Sequence, residues 1–316
     1  MSAVIRRLLS LLLTILLLST AAGCSRSGEA VLEGNFYSFT DDAGREVSLS
    51  AKPQKTAVLF SSFSEVWTLA GGEVAVTVGE SVERGFAAAE TPLVDDGAGK
   101  TINLELLLAA EPDFVICSAD VPAQVDAAEL LTSAGIPVAC FRVETFDDYL
   151  RMLRVCTEIT GNAAAYETYG LAVEREIEKL LQSATARGQK KDILFIRAGS
   201  SDSATKAKTA EQHFAAAMLE ELGAYNIADA APVLLDGLSI EEILRADPEI
   251  ICISTMGKES AAKAHMEEVL LQPMWQSLSA VQNGRVVYLP KDLFQFKPNA
   301  RWGDAYAYLI EVLYGA

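Results

Sequence analysis

The stretch from 162 to 187 constrains this chain more than any other. Tyr166, Tyr169, Val173, Ile177 and Leu180 recur there three or four residues apart, while Glu174, Glu176, Glu178 and Lys179 take other positions. That spacing puts the apolar residues on one stripe of an α-helix. At 1.5 Å per residue an uninterrupted helix of this length would be roughly 39 Å long, about a domain diameter. Gly188 stands where it should end. Short apolar runs alternate with helical stretches on both sides. TAVLF at 56–60, Phe114 to Cys117 and Pro137 to Phe141 come before it; Asp192 to Arg197, Ile250 to Ile253 and Val286 to Leu289 come after. Such alternation implies parallel strands with crossover helices, hence an α/β fold with one half on each side of a long helix.

The halves share a unit. INLELLLAAEPDFVIC at 102–117 and LSIEEILRADPEIICI at 238–253 each carry a polar N-cap (Asn103, Ser239) and a Glu two residues on (Glu105, Glu241). An apolar face, an acid-Pro break and a strand follow in both. One copy per half is an internal repeat, and two related lobes imply a ligand cleft between them. Ahead of the first strand, Asp41-Asp42-Ala43-Gly44 between two short alternating runs predicts a β-hairpin.

Residues 1–23 have the layout of a secretory signal: Arg6 and Arg7, an apolar run from Leu8 to Leu18, and a small-residue exit. The run is short for a membrane span. Gly23-Cys24 resembles a bacterial lipobox, which implies lipidation of Cys24 and an extracytoplasmic chain tethered to the cell membrane. Residues 24–35 then read as a flexible tether, 36–161 as the N-terminal lobe, 162–188 as the interlobe helix and 189–316 as the C-terminal lobe.

The 43 acidic residues outnumber the 26 basic ones, giving a net charge of −17. A body this acidic argues against nucleic-acid binding. With 2 His and 5 Cys, no His- or Cys-rich metal cluster is expected. Cys117, Cys140 and Cys252 lie in apolar runs and Cys156 on a helical one, so four buried thiols are expected. Cys117 and Cys140 end consecutive strands and are the first pair to examine for a disulfide. No nucleophile elbow, P-loop, H-E-x-x-H or C-x-x-C occurs, so no catalytic residue, metal or resident cofactor is assigned.

Loops after strands line the ligand crevice in open α/β sheets. Five of them are rich in polar or aromatic groups. They carry Ser62 and Phe63 with Trp67 just beyond; Asp120; Arg142; Arg197, Ser200 and Lys206; and Phe294, Phe296, Lys297, Arg301 and Trp302. Met256, after a strand of the second half, joins these ligand-binding candidates. The basic groups suit carboxylates or phosphates, and the aromatics suit a flat ligand face.

Taken in order, FTDDAGREVSLSAKPQKTAVL, the SEVWTLAGG helix, the two Glu-helix-Pro-strand units, the long helix and NGRVVYLP make the chain resemble the lipoprotein form of the iron-siderophore, haem and vitamin B12 solute-binding proteins of ABC importers. The resemblance covers roughly residues 36–316. It implies two Rossmann-like lobes joined by one rigid helix, with the ligand held between them and not converted. It also implies one acidic residue per lobe that pairs with arginines on the permease dimer. Here those are Glu105 and Glu241, with Glu242 and Glu65 as neighbouring alternatives. Among ligands, a ferric siderophore fits the basic residues best, ahead of a corrinoid and haem. A secreted α/β enzyme and a ligand-free, partner-binding sensor are the readings from other classes.

Overall fold

A computed structural model describes residues 35–95, 101–188 and 190–315. The signal-like leader, Cys24 and all but the last residue of the tether lie outside them. Two separate sheets form. In the first, β3 (Thr56–Val58), β4 (Val76–Thr77), β5 (Phe114–Ser118) and β6 (Val138–Phe141) are all parallel, in the order β4-β3-β5-β6. In the second, β7 (Lys191–Ala198), β9 (Ala224–Asn226), β10 (Ile250–Thr255) and β11 (Val286–Tyr288) are parallel in the order β9-β7-β10-β11. The two sheets therefore share one topology: the first strand in sequence pairs outward with the second and inward with the third. An extra short strand, β8 (Lys206–Ala207), runs antiparallel along the C-terminal end of β7.

The hairpin of β1 (Tyr37–Thr40) and β2 (Glu46–Leu49) forms as the turn signal predicts. It docks on the first sheet, where Phe39 stacks on Phe141 at 6.1 Å and the buried Asp41 carboxylate accepts from the Cys140 amide at 2.9 Å. Cys117 and Cys140 are register partners on β5 and β6, and with Cys156 and Cys252 they stand as buried free thiols.

Helix α1 (Ser61–Leu69) follows β3 almost at once, so the serines expected in a loop occupy its first turn. Helices α2 (Leu104–Ala109) and α3 (Pro122–Ser133) flank β5. Helix α4 (Phe146–Thr160) begins at a capping box of Thr145 and Asp148 and stops at Gly161, whose φ is +76°.

The connecting helix starts at Ala163, with Asn162 as its N-cap, and runs to Arg187 before Gly188. The expected stripe faces inward, with Val173 and Ile177 buried. It is not uninterrupted α-helix: Glu167–Leu171 form a π turn between Ala163–Tyr166 and Ala172–Arg187. A π turn shifts the hydrogen-bond register and frees a carbonyl. Here the Tyr169 carbonyl accepts from the buried Tyr149 hydroxyl at 2.8 Å. A side chain at Gly170 would collide with Leu150 and Leu153 of α4, so the glycine permits this close approach.

Beyond β7 come α5 (Phe214–Glu221), α6 (Ile240–Ala246), α7 (Glu259–Leu270) and the closing helix α8 (Trp302–Tyr314), which packs along the connecting helix. The sequence repeat has a backbone counterpart. Glu111 and Asp247, each preceding a proline, take φ of +47° and +41°. Asn103 caps α2 by accepting from the Leu106 amide at 3.1 Å, whereas Ser239 occupies the equivalent position without a side-chain cap.

Candidate ligand cleft between the lobes

In each sheet the order reverses beside the first strand, between β3 and β5 and between β7 and β10. Such switch points open a crevice at the carboxyl ends of the strands. The two crevices face one another across a cavity of about 610 Å³. Its N-lobe wall is mainly apolar: Leu59 and Phe60 after β3, Val78 after β4 and Val121 after β5, with Ser61 and Glu80. Its C-lobe wall presents Arg197, Lys258 and Lys291 around Met256 and Phe296.

Of the expected ligand-binding residues, Arg197, Ser200, Met256 and Phe296 come together at this cavity. Others have a different place. Phe63, Trp67, Phe294 and Trp302 are buried in the core rather than presented to a ligand. Trp67 packs edge-on against Phe114 and donates its indole N–H to the Glu73 carbonyl, and Trp302 lies between Phe146 and Phe214. Ser62 is buried in α1. Asp120 and Arg142 pair with each other at 2.6 Å on the N-lobe surface, and Arg301 is held by Asp292 and Asp304. Lys206 does not line the cavity and lies beside Arg197, its register partner across β7 and β8.

Lys297 bridges the lobes instead of facing a ligand, pairing with Glu144 at 2.8 Å while its ammonium lies 5.0 Å from the Phe214 ring centroid. A second bridge runs through Asn299, fully buried at a φ of +51°. Its Nδ2 donates to the Ser62 carbonyl and to Glu65 Oε2, both at 2.8 Å. Burial raises the Glu65 pKa, against the opposing pull of the Asn299 bond and of Arg84. Glu65 is therefore part of the interlobe contact and not an exposed docking acid.

Sequence reasoning missed Arg84. It follows the short helix Gly79–Glu83, in a stretch without strong periodicity. Its guanidinium donates to Ser61 Oγ at 3.0 Å and Ser62 Oγ at 3.1 Å, and its central carbon sits 4.0 Å from the Phe296 ring centroid. Arg84 thus carries Phe296 of the opposite wall. Burial lowers its pKa, with Glu65, Glu80 and Asp292 opposing.

On the C-lobe side, burial lowers the pKa of Arg197, opposed by Glu144. His213 stacks between Phe195 and Phe214 and accepts the Ala215 amide on Nδ1 at 3.1 Å. Burial, with Arg197, Lys297 and Lys208 nearby, pushes its pKa down to about 3, so it stays neutral beside these cations.

Residues 56–293 match the model of the periplasmic binding proteins. The chain belongs to this family. Over 232 residues, 73% of this chain and 79% of the relative, it is 25% identical to a vitamin B12-binding protein of Pectobacterium carotovorum subsp. carotovorum (strain PC1). The fold is shared with the apo periplasmic haem-binding protein RhuT from Roseiflexus sp. RS-1, at a TM-score of 0.68 and 19% identity over 83% of this chain and 98% of that one. It is also shared with Staphylococcus aureus SirA complexed with staphyloferrin B, at a TM-score of 0.65 and 17% identity over 88% of this chain and 97% of that one.

Proposed function

We propose that this protein is an extracytoplasmic, lipid-anchored solute-binding protein that captures a ferric siderophore and delivers it, unconverted, to the permease dimer of an ABC importer. The observation that carries this reading is the cleft: paired switch points face one another, with an apolar wall opposite a cationic one. The bound or named ligands of the relatives are a corrinoid, haem and a siderophore, so the family resemblance alone leaves the ligand open. A corrinoid would call for an aromatic pocket, and of Trp67, Phe294, Phe296 and Trp302 only Phe296 lines the cleft, the other three being core residues. The basic wall favours the iron chelate.

Glu105 and Glu241 support the docking role. Each is exposed in the first turn of a helix that leads into a strand, α2 into β5 and α6 into β10. A helix feeding a parallel strand runs opposite to it, so both N-termini lie toward the cleft edge of their sheets. Two carboxylates so placed suit a two-fold receptor and speed encounter. Glu242 pairs with Arg245 and is less available.

The test is a tryptophan-fluorescence titration of the full chain in detergent with ferric siderophores, cyanocobalamin and haemin. Saturable quenching by a ferric siderophore, at lower concentration than by the other two, is expected. Preference for cyanocobalamin or haemin would displace the siderophore assignment.

A further inference from the structure

The cationic wall is not balanced by the protein. Arg197 lines the cleft at the end of β7, and Lys206 lies directly opposite it on β8. Directly opposed residues on neighbouring strands hold their Cβ atoms about 5 Å apart, and like charges there repel. Lys208 adds a third cation: burial lowers its pKa first, and Arg197 and Lys206 lower it further. Lys258 and Lys291 approach the same cavity from β10 and β11. Among the described residues, none of these five has a carboxylate within salt-bridge distance. Glu144 is the carboxylate that acts on Arg197, and it is already paired with Lys297. Glu80 lines the opposite wall and accepts from Ser61.

This arrangement costs stability. A partly buried guanidinium with no ion-pair partner loses hydration, and Glu144, already held by Lys297, offsets only part of that loss. The cost is incurred in a chain whose net charge is −17. Phe296 is flanked by cations as well: besides Arg84, the Lys291 ammonium lies 5.1 Å from its centroid.

From this we infer that the cleft selects an iron chelate of net negative charge, with carboxylate or catecholate oxygens set against Arg197 and its apolar portion against Phe60, Val78 and Val121. The inference rests on the solute-binding reading and narrows it to a charge class. Guanidinium matches a carboxylate or a pair of catecholate oxygens in a planar fork, which a lysine cannot reproduce. Neutral trihydroxamate chelates and corrinoids would leave the cations uncompensated and are disfavoured.

The experiment uses the full chain in detergent and four probes: a ferric tris-catecholate, ferric dicitrate, a neutral ferric trihydroxamate and cyanocobalamin. Affinities come from tryptophan quenching at low and high salt. At least one anionic chelate should bind tenfold or more tighter than either neutral probe, and weaken as salt rises. Arg197→Gln should lower that affinity by tenfold or more, with Arg197→Lys intermediate and both variants retaining the parent's circular dichroism and melting temperature. Lys206→Gln, at the edge of the wall, should lower it by a smaller factor. Tighter binding of a neutral probe, or unchanged affinity in Arg197→Gln, overturns the charge assignment while leaving the solute-binding reading intact. Should Arg197→Gln misfold, Lys258→Gln and the salt dependence decide the matter. Absence of binding by all four probes overturns both.

Discussion

The two lobes share a strand order, a Glu-helix-Pro-strand unit and a left-handed residue before the proline, yet their cleft walls differ in kind. The N-lobe wall is built from Leu59, Phe60, Val78 and Val121; the C-lobe wall from Arg197, Lys258 and Lys291. The repeated framework fixes where the crevices open, and the loops beyond the strands decide what each crevice presents. Scaffold and chemistry are thus separable, and the two lobes should respond differently to equivalent insults.

The largest contrast is expected at two glycines. A Cβ at Gly72 would overlap the buried Trp67 indole, so Gly72→Ala should cost about 3 kcal/mol, read as a lowered denaturation midpoint. A Cβ at Gly199 would overlap Ala204 in a loop at the cleft. Residues 200–203 of that loop are exposed and meet less packing than the indole does, so Gly199→Ala should cost about 1 kcal/mol but weaken ligand binding. Equal stability losses would break the separation of scaffold from site.

Acid should distinguish the lobes next, since both histidines lie in the C-lobe. His213 has a folded pKa of about 3 against an ordinary value of 6.5. The unfolded chain then binds the extra proton below pH 6.5, so this part of the stability is complete above that pH and is lost as pH falls toward 3. The slope is about 1.4 kcal/mol per pH unit, or about 2 kcal/mol by pH 5. His213→Asn, which can still cap α5, should flatten that slope in urea denaturation, and a slope unchanged by the variant would show that His213 is not its source.

The contact between lobes comes third. Asn299→Gly keeps the left-handed backbone but removes the donor to Ser62 and Glu65, at a cost of about 1 kcal/mol. Hydrogen exchange in α1 should quicken; unchanged protection there would mean the bond does not hold the lobes. Smallest in stability, within about 0.5 kcal/mol, should be charge reversal at Glu105 and Glu241, both exposed. Ligand affinity should persist while uptake by cells is lost, and normal uptake by the double variant would remove the docking role.

Much of the scaffold was legible in the sequence because periodicity reports burial. The stripe from Tyr166 to Leu180 marked the connecting helix, and the paired segments at 102–117 and 238–253 marked the lobes. The π turn was not legible, since a one-residue register shift leaves the apolar stripe nearly unchanged. The site was legible only in part. Trp67, Phe294 and Trp302 have side chains suited equally to a core and to a ligand, and only packing tells these apart. Arg84 and Asn299 owe their roles to residues of the opposite lobe, far away in sequence, so no local pattern announces them.

Anomalous diffraction at the iron edge, from crystals grown with a bound ferric tris-catecholate, tests the account most directly. It predicts a single iron peak between Val78 and Val121 on one side and Arg197 and Met256 on the other. An iron peak on the outer surface of either lobe, with the cleft empty of chelate, would contradict it.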